Sequence, residues 1–154
     1  MRMRLGRGLW FSGLLSTYLC LAYSCAALSD DSTDQMKARL GSAGAGDRPT
    51  LCIRISEQEL VVASKLYAEG DFEKAQAALT DVAAFAEMAR DYAVQSHKHE
   101  KQSEIALRKM VRKLSDLGHT LSHEDGQQVQ KTIDRLERVR DDLMISMFPK
   151  ASKK

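Results

Sequence analysis

Residues 71–117 read DFEKAQAALTDVAAFAEMARDYAVQSHKHEKQSEIALRKMVRKLSDL, a stretch between Gly70 and Gly118 that contains neither Gly nor Pro. Steps of three and four from Phe72 pick out Ala75, Leu79, Val82, Ala86, Ala89, Ala93, Ser96, Glu100, Ser103, Leu107, Met110, Leu114 and Leu117, a helical register that never slips. The spacing predicts one helix, roughly 70 Å long at 1.5 Å per residue, so the flanking segments must pack along it. The three polar positions at its centre are then the place where neighbouring helices cover it least.

On the N-terminal side, Ser56 stands three residues before Glu59, with Ile55 and Leu60 placed for a hydrophobic staple, and these predict a helix start. That helix carries Leu60 to Tyr67 and ends at Gly70, the residue type suited to a left-handed helix end, and Asp71 can cap the next one. Leu51, Ile53 and Ile55 alternate with Cys52 and Arg54, the pattern of a short extended piece. On the C-terminal side, Gly118 ends the long helix, Ser122 or Asp125 can cap a third, and Val129, Ile133, Leu136, Val139, Leu143 and Met147 give it an amphipathic face that Pro149 terminates. The fold class expected is all-α: an elongated, antiparallel three-helix arrangement around one long central helix, with coiled-coil-like packing.

The segment Leu66-Tyr67-Ala68-Glu69-Gly70-Asp71-Phe72-Glu73-Lys74-Ala75 resembles the hairpin of a tetratricopeptide repeat, with a similar order of Gly, aromatic residue and Ala at the turn. The likeness covers about 20 residues and occurs once, whereas such repeats bury a core only by stacking several units. It implies a local antiparallel helix pair.

Residues 1–27 form a leader: Arg2, Arg4 and Arg7, then an uncharged, mostly apolar run from Leu9 to Leu28 with small residues at Ser24, Ala26 and Ala27. This is the tripartite form of a secretory signal, and an uncleaved run of that length can also anchor a chain. Ala22-Tyr23-Ser24-Cys25 resembles the lipobox of bacterial lipoproteins, with Ala22 where Leu is usual, which would imply lipidation at Cys25. The expected location is outside the cytoplasm, periplasmic or extracellular, with membrane attachment only through the N-terminus. Residues 28–50, rich in Ser, Asp, Gly and Ala, read as a flexible linker; 51–149 as the helical domain; and 150–154 as a basic tail.

Past the leader arginines the chain carries 20 bases against 21 acids, a balance that argues against nucleic acid as a partner. His119 and His123 stand four apart, but in a turn, and no further ligand pattern accompanies them, so no metal or other cofactor is expected. His97 and His99, two apart, point about 200° apart on a helix. No nucleophile, base and acid fall in a catalytic pattern, so the chain is not expected to be an enzyme. Arg108, Lys109, Arg112 and Lys113 flank the stripe Leu107, Met110 and Leu114. Together they form the candidate interaction surface of a non-catalytic protein–protein module, a scaffold, adaptor or chaperone-like rod. Self-association is expected to cover the polar centre of the long helix. The alternative is a small-ligand, ion or anionic-surface binder using the basic flank or the His119 and His123 turn.

Overall fold

The computed structural model describes residues 27–149, and among them every regular element is helical. The order is α1 (Ala27–Leu40), α2 (Arg48–Glu69), α3 (Phe72–Ser96), α4 (Glu100–Gly118) and α5 (His123–Met147). None of these helices is long and apolar enough to cross a membrane. The leader with Cys25 and the tail at 150–154 lie outside the described residues.

The expected three helices are therefore five, and the largest correction falls on the long helix. It breaks at His97-Lys98-His99, where His97 (φ 52°) and His99 (φ 62°) both take the left-handed conformation. That conformation costs a non-glycine residue about 1–2 kcal/mol, so packing must supply the reason. A straight rod would leave each half of its apolar stripe covered on one side only. The reversal instead lays α4 back against the bundle, where Leu107, Met110 and Leu114 are 0–1% exposed. The polar run at 95–101 is thus a turn in water rather than the uncovered middle of a rod, and the physical motive for self-association goes with it.

Three further expectations are corrected. Residues 28–50 are not a linker throughout: α1 occupies most of them, and its Lys37 sits between Glu59 (2.7 Å) and Asp81 (3.1 Å) with its ammonium 5.4 Å from the Phe85 ring centroid. Helix α2 starts at Arg48, with Pro49 in its first turn where a missing N–H costs nothing. Ser56 is consequently not a cap but a buried interior residue, its hydroxyl donating to the Val82 carbonyl at 2.7 Å. The alternation around Leu51 to Ile55 is the accident of a helix buried on more than one side: Cys52, Ile53 and Ile55 are all in the interior.

The turn residues read from sequence hold their places. Gly70 is left-handed (φ 81°), Asp71 accepts from the Lys74 amide, and Ser122 caps α5 by accepting from the Asp125 amide. Gly70 thus closes the α2–α3 hairpin that the tetratricopeptide likeness implied.

Side-chain contacts between the helices fix the topology. Helix α2 runs antiparallel to α3, its Tyr67 ring 6.1 Å from that of Phe72 at one end and Ser56 against Val82 in the middle. Helix α5 runs parallel to α3, joined by Arg135–Glu87 and Arg90–Asp142. Helix α4 runs antiparallel to α5, with Glu104 facing Arg140 and Glu100 facing Ser146. Met110 reaches back to Ser56, so α2 and α4 also touch, while α2 and α5 face each other across the bundle without close backbone approach. Helix α3 packs against α2, α4 and α5, and its buried alanines at 75, 78, 83, 86, 89 and 93 leave room for these neighbours to approach closely.

Candidate interaction surface on the fourth helix

The break at residues 97–99 decides what α4 shows to water. Of the sequence-predicted surface, Leu107, Met110 and Leu114 are core residues and unavailable to a partner, whereas Arg108, Lys109, Arg112 and Lys113 are exposed. The apolar half of the predicted surface is therefore corrected: it belongs to the interior of this chain.

The helix has three acids, and two of them are turned away from solvent. Glu104 is 5% exposed; both its carboxylate oxygens accept from Arg108 Nη2 at 2.7 Å, Oε1 also accepts from Arg108 Nε at 3.2 Å, and Arg140 Nε lies 3.7 Å from Oε1. Glu100 accepts from the Ser146 hydroxyl at 3.2 Å, its side chain 14% exposed. Arg108 is thereby neutralised. What remains outward is Lys101, Lys109, Arg112 and Lys113 against Asp116, and none of these four bases makes an ion pair among the described residues. At 100° per residue they fall within roughly a 120° arc, with Ile105, 40% exposed, inside it. Unpaired bases on a low-dielectric helical surface set up a positive potential that attracts acidic surfaces.

The histidine turn has a different character. His119 ends α4 and His123 opens α5, both exposed, and the His123 ring meets the Gln127 amide at 3.1 Å. Among the described residues no three His, Cys, Asp or Glu side chains come together as a metal cage. Cys52 is fully buried; desolvation pushes its thiol up to about 11, outweighing a small opposite pull from Arg48. A thiol so held is protonated and unreactive at neutral pH.

Sequence reasoning missed two places. One is the Lys37 clamp, whose desolvation pulls the ammonium pKa down but is outweighed by hydrogen bonds and charge from Glu59 and Asp81, leaving it raised. The other is a cleft between the end of α1 and the α3–α4 turn that brings Arg39, Arg54 and His99 together. Neither carries a local motif. The nearest signal was Glu59, an acid on an otherwise apolar helical face.

Comparison with models of known protein families finds no match. Searches of curated proteins and of solved structures likewise find none.

Proposed function

We propose that the protein is an exported, non-catalytic helical interaction module that docks on an acidic protein surface through the outward face of α4. The observation that carries this reading is the inward placement of Glu100 and Glu104, which leaves that face basic although the helix as a whole is mixed in charge. A face of this kind speeds encounter and selects against basic partners; it adds affinity mainly where Ile105 and the alkyl stems of the lysines are covered.

The test is a photo-crosslinking side chain at Ile105 in the full-length chain, in the cell that makes it. Adducts should map to acidic segments of one protein and fade as salt rises. They should disappear in the triple variant Lys109→Glu, Arg112→Glu, Lys113→Glu, whose exposed positions leave the fold intact. Adducts indifferent to that charge reversal, or formed with lipid alone, would contradict the reading; lipid adducts would favour an anionic membrane surface instead.

A further inference from the structure

The cleft at the α3–α4 turn is built from three separated segments. Arg39 comes from the last turn of α1, Ser42 from the loop after it, Asp47, Thr50 and Arg54 from the start of α2, and His99 from the left-handed turn. It is a half-open cleft of about 500 Å³, large enough to seat a small organic ligand. Arg48, Arg90, Arg108 and Arg135 each have a hydrogen-bonded partner, but Arg39 and Arg54 make no side-chain hydrogen bond or ion pair among the described residues. The Lys98 side chain lies against the same loop: a Cβ on Gly46 would stand 3.1 Å from its Nζ. Two exposed guanidinium groups without a partner among the described residues thus line one cleft, with Lys98 beside the adjoining loop and Asp47 as the one carboxylate in the lining.

We infer that this cleft binds a small hydroxylated phosphate monoester. Guanidinium forks match the oxygens of a phosphoryl group and hold it by paired, charge-assisted hydrogen bonds. A bare phosphate would leave most of the space unfilled and would meet Asp47 as a like charge. An ester carrying hydroxyl groups resolves both: its phosphoryl end sits on Arg39 and Arg54, and its hydroxyls donate to the Asp47 carboxylate and exchange hydrogen bonds with Ser42 and Thr50. The assignment is independent of the α4 face, which lies on other residues.

The test is calorimetric titration of the full-length chain in neutral detergent with glycerol 3-phosphate, inorganic phosphate and glycerol. Saturable binding of glycerol 3-phosphate, tighter than inorganic phosphate, is expected. Arg39→Gln and Arg54→Gln should each weaken it on the order of tenfold, while Lys131→Gln on the distant face of α5 leaves it unchanged. Asp47→Asn should erase the preference for the ester and strengthen inorganic phosphate. All four positions are exposed, and circular dichroism confirms that the variants stay helical. The inference fails if no saturable binding occurs up to about 10 mM, if Lys131→Gln weakens binding as much as the arginine variants, or if Asp47→Asn leaves the preference intact.

Discussion

Glu104 and Arg108 stand one turn apart on α4, but the pair is unequal: side-chain exposure is 7% for the carboxylate and 52% for the guanidinium. Removing the acid returns an arginine to water; removing the arginine strands a buried charge with only Arg140 at 3.7 Å. Arg108→Ala should therefore cost about 1–3 kcal/mol and Glu104→Gln less than about 1 kcal/mol, read as urea midpoints at constant slope. Equal losses would mean that water reaches the carboxylate. Cys52 supplies a pH prediction. Its thiol, ordinarily near 9.0, is held up to about 11 in the folded chain, so between those values the unfolded state loses a proton that the native state keeps. Stability is full below pH 9 and declines as pH rises toward 11, by at most roughly 2–3 kcal/mol. In Cys52→Ala that alkaline slope should flatten, whatever the packing cost of the substitution. Single residues were legible in sequence where geometry is local, as at Gly70, Asp71 and Ser122. Ser56 was not, because its partners, Val82 and Met110, are 26 and 54 positions away.

At the level of elements, no local rule announces the α3–α4 break. The apolar register continues through residues 96–103 as if the helix did, and the turn contains no Gly, Pro or Asn. Only the gain from burying α4 against α2, α3 and α5 chooses the reversal, and that gain is a property of the assembled bundle. Two substitutions read this balance from opposite sides. His97→Gly and His99→Gly place the residue that tolerates positive φ where φ is 52° and 62°, and each should raise the melting temperature, with about 0.5–1 kcal/mol gained. His97→Ala with His99→Ala strengthens helix propensity where the fold needs a break, and should destabilise the bundle by a similar amount. The start of α2 was missed for a related reason: Pro49 and Asp47 mark it, but the capping-box pattern at Ser56 to Glu59 outweighs them until burial shows that Ser56 faces inward. Helix α1 carries no amphipathic stripe to find, and it meets the bundle through Lys37 and the partly buried Leu40.

For the whole molecule, all-helical class and the Leu107, Met110 and Leu114 stripe were legible, but not which surface the stripe meets. It meets the interior. Leu114→Ala should then destabilise the chain by about 2–5 kcal/mol without changing its state of association, since the residue is fully buried within one copy. The same reversal sends Glu100 and Glu104 inward and leaves the outward face of α4 basic, so the proposed docking surface depends on it. The direct test is the distance between spin labels at Thr80 and Lys131, exposed residues that border one groove between α3 and α5, in a chain whose Cys20, Cys25 and Cys52 are replaced by Ala. With α5 parallel to α3, neighbouring axes are about 8–10 Å apart and the labels should report less than about 20 Å. A continuous helix through residues 97–99 would hold position 131 beside residue 110 and give roughly 45 Å, and that longer distance would contradict both the bundle and the basic face derived from it.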